Sequence, residues 1–237
     1  MNPREAQLKF QENGWVILCD IVPKSIIDEM FNAYTGKMEE EGLVLREALP
    51  MQGNAWEPEG LEWFLSEPAF KKASNFFLNT FQKTFNLRTM PTYNMGRVYT
   101  QETVGMVKHT DRVPCEISIT MPIAYDFESW RIQLKSKTGE EISAKLAVGD
   151  ILIYAGCDCP HWRNNDNYNQ KQIQHYFHYV NLDSELGSFY RYFGKNADDG
   201  MGYWHGDLNK MKQVNDLPIV NEEVKIRYLE SIGELNV

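Results

Sequence analysis

Residues 149–163 read Gly-Asp-Ile-Leu-Ile-Tyr-Ala-Gly-Cys-Asp-Cys-Pro-His-Trp-Arg. The Gly149-Asp150 pair is typical of a turn, and the apolar run after it is typical of a strand buried on both faces. Six more short runs rich in β-branched and aromatic residues lie nearby, at 94–99, 104–109, 115–123, 130–134, 142–147 and 172–180. Because no helical pattern separates the seven runs, the sequence predicts an antiparallel sandwich or barrel and not a parallel α/β sheet.

Helical patterns flank this β-rich core. Before it, apolar residues recur at helical spacing in 3–13, in a segment that opens at Pro23, and in 67–85. After it, a closing helix is predicted at 221–232. Since no repeat or linker divides the chain, we expect a single domain over 1–237, with helical support at 1–92, a catalytic β core at 93–181 and a C-terminal extension at 182–237.

The composition and charge argue against several classes of protein. A net charge of −9 disfavours electrostatic binding of a phosphate backbone over an extended surface, so we expect no nucleic-acid partner. No apolar run approaches the roughly 20 residues of a membrane span, and the polar first residues lack the apolar core of a secretory signal. We therefore expect a cytoplasmic protein without membrane contact, whose four cysteines are reduced thiols.

Two of the five histidines stand in a pattern that suits a metal ion. On an extended segment, residues two apart point the same way, so the His109 imidazole and the Asp111 carboxylate can grip one ion. His161 lies 52 positions after His109, just past a predicted strand, and supplies a second imidazole. Two histidines and one carboxylate make the facial triad typical of iron(II) oxygenases, which leaves three positions for a co-substrate and dioxygen.

A zinc site is a competing interpretation of the same region. Cys157, Cys159 and His161 alternate along the chain and can share one face of a strand. Structural zinc sites usually pair two short chelating turns, however, and only the isolated Cys115 is left to serve as a fourth ligand. The iron interpretation is therefore favoured.

The chain also resembles a known family. In the prolyl-hydroxylase-type branch of the 2-oxoglutarate/iron(II) dioxygenase superfamily, His-x-Asp is followed after roughly fifty residues by a histidine and about ten positions later by Lys or Arg. This sequence supplies, in that order, His109, Asp111, His161 and Lys171. The family's Gly-Asp turn and the tyrosine ahead of its first histidine have counterparts at Gly149-Asp150 and Tyr99. The resemblance covers about residues 93–181.

This resemblance implies a fold, a metal and a reaction. The fold is a double-stranded β-helix (jelly roll), mainly β, with N-terminal and C-terminal helices. The metal is Fe(II), held by His109, Asp111 and His161, and the co-substrates are 2-oxoglutarate and O2. The implied reaction is hydroxylation of a peptidyl residue such as proline, or of a free amino acid or another small molecule.

The distal carboxylate of 2-oxoglutarate needs a cation and hydrogen-bond donors. Lys171 has the family spacing from the second histidine, Arg163 is its main rival, and Arg97 is a third candidate on a predicted strand. Tyr99 can donate a phenolic hydrogen bond to the same carboxylate, and Thr120 is a weaker candidate. The segment after Lys171 lacks the Arg-x-Ser pairing of other branches, so the choice among the cations stays open.

Other functions fit parts of this pattern. A cupin-like metal-binding barrel, acting as an isomerase or a small-molecule binding module, would show no dependence on 2-oxoglutarate. Halogenation normally requires the carboxylate ligand to be absent, so Asp111 argues against it. His175 and His178 fall on opposite faces of one predicted strand, and each is more often a packed or surface residue than a ligand.

Overall fold

Three helices pack against the outer face of a β-sheet in the computed structural model, which describes residues 2–41, 64, 66–99, 105–111, 113–164 and 171–184. They are α1 (Pro3–Asn13), α2 (Lys24–Glu40) and α3 (Pro68–Thr80), and α3 continues into a π-helical turn at Phe81–Phe85. Asn2 caps α1 by accepting a hydrogen bond from the Glu5 backbone N–H. In the described part of the chain, no helix has the length and apolar character needed to cross a membrane.

The described residues form nine strands in two antiparallel sheets: β1 (Trp15–Leu18), β2 (Thr89–Tyr99), β3 (Met106–His109), β4 (Ile117–Tyr125), β5 (Ile132–Lys135), β6 (Glu141–Ala144), β7 (Ile151–Ala155), β8 (His161–Arg163) and β9 (Gln172–Asn181). The major sheet has the order β1-β7-β4-β9-β2, and the minor sheet has the order β3-β8-β5-β6. This pair of sheets with flanking helices confirms the predicted double-stranded β-helix.

The main hydrophobic core lies between the helices and the major sheet. Its largest members are fully buried side chains from α2, α3 and β9, among them Met30, Phe70, Phe77 and Phe177. The rings of Phe77 and Phe177 meet edge to face with centroids 5.0 Å apart. This packing fixes the major sheet on one side, so its other face is free to form the cavity between the two sheets.

The two faces of β9 separate cleanly by residue parity. Its odd-numbered residues Ile173, His175 and Phe177 point to the helices, whereas Tyr176 and His178 line the cavity between the sheets. β9 lies between β4 and β2 and is buried along nearly its whole length. Whether a β9 residue is odd- or even-numbered therefore decides whether its side chain can reach the cavity between the sheets.

Two strands, β1 and β8, have no counterpart among the predicted ones. β1 lies in the region predicted to be helical support, and it extends the major sheet by pairing with β7. β8 has three residues and was read only as the segment that carries His161. The division of the chain into 1–92, 93–181 and 182–237 stays a prediction, and the expected helix at 221–232 lies outside the described residues.

Candidate metal centre

Strand pairing in the minor sheet brings the two histidines of the predicted triad together. His109 ends β3, His161 begins β8, and the two are register partners with ring centroids 4.5 Å apart. Asp111 follows β3, and its Oδ1 lies 3.8 Å from Nε2 of His109 and 3.6 Å from Nε2 of His161. Two donors bound to one ion at about 2.1 Å can be at most about 4.2 Å apart, so these spacings fit a shared divalent ion.

Backbone carbonyl groups set the tautomer of both histidines. Nδ1 of His109 lies 2.8 Å from the carbonyl oxygen of Val107, and Nδ1 of His161 lies 3.0 Å from that of Cys159. A carbonyl oxygen only accepts, so each Nδ1 carries the proton and each Nε2 presents a lone pair toward Asp111. Burial lowers the pKa of His161, although Asp111 opposes this shift, and the neutral ring is the form that binds a metal.

A second set of contacts holds Asp111. Its backbone N–H donates to the Gly156 carbonyl oxygen at 2.9 Å, and its Oδ2 accepts from the Ser118 hydroxyl at 2.8 Å. Ser118 Oγ also lies 2.9 Å from Nδ1 of His178. A Cβ on Gly156 would collide with Oδ2 of Asp111 and the carbonyl oxygen of Cys115, so glycine leaves the space in which the carboxylate sits.

A cavity of about 300 Å³ opens beside the triad. Beyond the three residues of the candidate triad, its lining combines apolar side chains with hydroxyl, imidazole and guanidinium groups: Tyr93, Met95, Arg97, Met106, Val107, Tyr154, Tyr176 and His178. Ligand pockets typically have this mixture of an apolar wall and a few polar groups. The cavity is therefore the candidate binding site for organic molecules.

Two arginines and two tyrosines form a polar cluster beside the cavity. Arg97 lines the cavity, and Arg163, only 2% exposed, lies two residues after His161 with its guanidinium carbon 5.6 Å from the ring centroid of Tyr99. The Tyr99 and Tyr176 hydroxyl groups are hydrogen-bonded at 2.5 Å. Burial and the neighbouring Tyr99 raise the pKa of Tyr176 while both arginines oppose this, so its hydroxyl stays protonated and can donate.

The remaining predicted contacts to 2-oxoglutarate lie elsewhere. Lys171 precedes β9 and is not among the residues that line the cavity, and its backbone N–H donates to Asp126 at 3.3 Å. Thr120 is fully buried on β4 and accepts from the Gln174 side-chain amide at 2.6 Å. The structure thus brings Arg97 and Arg163 close to Tyr99 and Tyr176, and it does not bring Lys171 or Thr120 to the cavity wall.

Two groups of described residues have the spacing of metal ligands, and neither includes Cys157 or Cys159. The first is the predicted triad, and the second is Asp111, Cys115 and His178. In the second group, the Ser118 hydroxyl lies between Asp111 and His178, and the thiol of Cys115 lies 2.9 Å from the Tyr93 hydroxyl. Asp111 and His178 are thus bridged by the Ser118 hydroxyl, and Cys115 contacts Tyr93 instead.

Comparisons with known proteins give a clear result only at the level of the fold. No family model and no curated protein matches the sequence. Among solved structures, the non-heme α-ketoglutarate-dependent carbocyclase SnoK from nogalamycin biosynthesis has a TM-score of 0.61 at 10% identity, over 77% of this chain and 87% of SnoK. The epimerase SnoN, in complex with Fe³⁺, α-ketoglutarate and nogalamycin RO, has a TM-score of 0.58 at 7% identity, over 76% and 84%.

A third similar structure comes from Trichoplax adhaerens. This prolyl hydroxylase, in complex with a peptide of the hypoxia-inducible factor oxygen degradation domain, has a TM-score of 0.55 at 12% identity, over 77% of this chain and 92% of the hydroxylase. The three similar proteins are a carbocyclase, an epimerase and a hydroxylase. The chain therefore has the fold of the 2-oxoglutarate/iron(II) oxygenases, and the prolyl-hydroxylase-type branch stays a prediction.

Sequence reasoning overlooked several residues of the site. Tyr154 belongs to the apolar run after Gly149-Asp150 but had no predicted role in the site, and Tyr176 belongs to no motif, although its even parity on β9 places it on the same face as His178. Ser118 and Gly156 had no sequence signal, because their importance depends on contacts across the cavity. His178, for which a packed or surface role is the favoured expectation over that of a ligand, lines the cavity.

Proposed function

We propose that this protein is an Fe(II)- and 2-oxoglutarate-dependent oxygenase. The observation that carries the proposal is the arrangement of His109, Asp111 and His161, in which both Nε2 lone pairs face one carboxylate oxygen. Two imidazoles and one carboxylate are the donor set of non-heme iron(II) oxygenases, which leave one side of the ion open. The fold shared with enzymes that use iron and 2-oxoglutarate supports the same assignment.

The residues of the chain bind and orient the reactants in this proposal. With Fe(II), 2-oxoglutarate and O2 bound, the chemistry supplied is oxidation, in which one oxygen atom enters succinate as CO2 leaves and the other hydroxylates a substrate C–H bond. His109, Asp111 and His161 hold the ion at the cavity wall. The cavity beside it keeps both organic molecules within reach of the site and limits the access of water.

Arg163 is the strongest candidate for the distal carboxylate of 2-oxoglutarate. It is buried, and its Nη1 donates to the Trp130 carbonyl oxygen. Among the described residues, its Nε has no hydrogen-bond partner and no carboxylate pairs with its guanidinium group. A buried cation without an anion is costly, so a bound carboxylate would stabilise the guanidinium group. Arg97 reaches the same cluster from β2 and is the second candidate.

The paired tyrosines add a hydrogen-bond donor at the same place. Tyr99 and Tyr176 have two hydroxyl protons but only one bond between them, so one proton is left for another acceptor. A carboxylate beside Arg163 is the acceptor that this cluster suits best. Tyr99 therefore keeps its predicted role, in partnership with Tyr176.

The substrate is proposed to be a peptidyl residue, a free amino acid or another small molecule that fits the apolar wall of the cavity. Met95, Met106 and Val107 supply that wall, and Val107 is 81% exposed at the cavity edge. The similar structures include one with a bound peptide and one with a bound small natural product, and both classes of substrate are proposed for this chain.

Metal binding and turnover test the proposal together. Asp111→Ala and His109→Ala should abolish Mn(II) binding, and they should also abolish succinate release in the presence of Fe(II), 2-oxoglutarate and O2. The reason is that a site with only three protein ligands loses its affinity for the ion when one ligand is removed. Asp28→Ala, which removes an exposed carboxylate on α2, is the matched control and should behave as the parent. Succinate release by either triad variant at the parent rate would contradict the proposal, and metal binding without 2-oxoglutarate binding would favour the cupin-like alternative.

The affinity for 2-oxoglutarate in the Mn(II)-loaded protein tests the cation assignment. Arg163→Gln should weaken this binding more than Arg97→Gln, because Arg163 is the buried cation without a carboxylate partner among the described residues. A lost charge-assisted contact corresponds to about 1.5–3 kcal/mol, or roughly 10–150-fold in affinity. Lys171→Ala should change the affinity for 2-oxoglutarate little. A larger loss of affinity in Lys171→Ala than in Arg163→Gln would favour Lys171 as the cation that binds the distal carboxylate.

A further inference from the structure

The hydrogen-bond network behind Asp111 has one consistent direction. An ionised carboxylate only accepts, so Oδ2 of Asp111 takes the single proton of the Ser118 hydroxyl at 2.8 Å. With its proton directed at Asp111, Ser118 Oγ can only accept a further hydrogen bond. Nδ1 of His178, 2.9 Å from Ser118 Oγ, is therefore the donor in the hydrogen bond between them. The network therefore runs from His178 through Ser118 to Asp111.

We propose that Ser118, itself oriented by His178, is a positioning residue that makes Asp111 bind the metal through Oδ1 alone. The inference rests on the proposed metal site. Oδ2 is occupied by the Ser118 hydroxyl, whereas Oδ1 lies 3.8 and 3.6 Å from the two Nε2 atoms. A carboxylate that uses one oxygen leaves more of the ion for the co-substrate and dioxygen than one that uses both.

The surrounding packing supports this role for both residues. Ser118 is fully buried on β4, with its hydroxyl also 3.3 Å from the Cys115 carbonyl oxygen, so it has little freedom to turn away. The ring of His178 packs on Tyr93 with centroids 4.5 Å apart, which fixes the direction of its Nδ1. Groups that orient a metal ligand in this way typically change metal affinity by about 10–100-fold when they are removed.

Divalent metal binding to Ser118→Ala tests the proposal without turnover. We expect the dissociation constant for Mn(II) to rise about 10–100-fold. We also expect the visible absorption spectrum of the Co(II)-loaded protein to change as the freed carboxylate binds through both oxygens. The matched control is Thr120→Val, which removes a fully buried hydroxyl two residues along the same strand that bonds to Gln174 and not to Asp111. This control should bind Mn(II) as the parent does.

Two variants of His178 separate positioning from packing. His178→Asn keeps an N–H donor near the position of Nδ1 and loses the ring, whereas His178→Phe keeps a ring on Tyr93 and loses the donor. If His178 acts by donating a hydrogen bond to Ser118, His178→Asn should bind Mn(II) more tightly than His178→Phe. If His178 acts only by packing on Tyr93, His178→Phe should bind Mn(II) more tightly than His178→Asn. These variants decide the question even if Ser118→Ala fails to fold.

The outcomes distinguish this inference from the proposed function. A parent protein that binds neither Mn(II) nor Co(II) would overturn the metal site and the inference with it. A parent that binds metal, together with a Ser118→Ala variant of equal affinity and an unchanged Co(II) spectrum, would overturn only the positioning role.

Discussion

The two faces of the major sheet carry similar hydrogen-bond networks with opposite purposes. On the helix face, Nδ1 of His175 lies 2.7 Å from the Tyr34 hydroxyl and Nε2 lies 3.1 Å from Oδ1 of Asn94. Both ring nitrogens of His175 are satisfied and the ring is fully buried, so this network closes on itself. On the cavity face, the network from His178 ends at Asp111, whose second oxygen points toward two imidazoles.

A glycine sits against each network, and each glycine is needed for a different reason. A Cβ on Gly96 would collide with the Tyr34 hydroxyl on the helix face, and a Cβ on Gly156 would collide with Asp111 on the cavity face. Neither glycine has a positive φ, so alanine suits the backbone torsions of both. The conflict at Gly96 is mainly with the Tyr34 side chain, whereas at Gly156 it is with the Asp111 carboxylate and the backbone carbonyl oxygen of Cys115. The network on the helix face is closed and stabilises the fold, whereas the network on the cavity face is open and positions Asp111, a proposed metal ligand.

Gly96→Ala should have the largest effect, and it should act on stability. The added methyl group displaces the Tyr34 hydroxyl from His175, so overpacking adds to the loss of a buried hydrogen bond. We expect the free energy of unfolding to fall by about 2–5 kcal/mol, measured by urea denaturation of the metal-free protein. Gly36→Ala, at an open and exposed position of α2, should be neutral or stabilising, and an equal loss in both variants would contradict the explanation.

Gly156→Ala should act mainly on the metal. The new methyl group competes with Oδ2 of Asp111 for the same space, so the carboxylate must move. We expect Mn(II) binding to weaken by about 100-fold, close to 2.7 kcal/mol, in a titration of the metal-free protein. Parent-like Mn(II) affinity in this variant would show that the position of Asp111 tolerates displacement and would remove the contrast between the two glycines.

The closed network should make the free energy of unfolding depend on pH, because it contains the buried imidazole of His175. Burial holds the pKa of His175 well below its usual value, so below about pH 6.5 the unfolded chain takes up a proton that the folded chain refuses. Stability is then fully present above pH 6.5 and falls on acidification by up to about 1.4 kcal/mol per pH unit. His175→Gln, which does not titrate, should have a shallower slope between pH 6.5 and 5 in metal-free urea denaturation, and identical slopes would refute this origin.

Tyr99→Phe should give the smallest effect, confined to the cavity face. The change removes one hydroxyl of the Tyr99–Tyr176 pair and leaves the metal ligands untouched. We expect the affinity of the Mn(II)-loaded protein for 2-oxoglutarate to fall by about 1 kcal/mol, or roughly fivefold, with Mn(II) binding unchanged. A loss of Mn(II) affinity instead would mean that the tyrosine pair supports the metal centre.

Local patterns in the sequence were sufficient for much of the fold. The Gly149-Asp150 turn and the apolar run after it gave the bounds of β7, and Gly149 adopts the positive φ of 99° that such a turn favours. The order and spacing of His109, Asp111 and His161 identified three groups that the fold brings together. These features are readable because turn chemistry and strand alternation are local properties of the chain.

The parts that could not be predicted depend on contacts between distant residues. Lys171 has the expected distance from His161 along the chain, but it precedes β9 and is not among the residues that line the cavity. β8 has only three residues and no apolar alternation, so its pairing with β3 and β5 left no local signal. Ser118 is one hydroxyl in a buried strand, and only its neighbours across the sheets reveal its contact with Asp111.

The register pairing of His109 with His161 has a consequence for the order of events during folding. The two ligands lie 52 residues apart in the chain, and they become neighbours only when β3 pairs with β8. An unfolded chain therefore offers an incoming ion only the local His-Thr-Asp segment, a two-donor chelate whose affinity is far below that of the assembled site. Binding of an ion by all three proposed ligands therefore requires a closed minor sheet, so folding up to that point relies on the hydrophobic core under the helices.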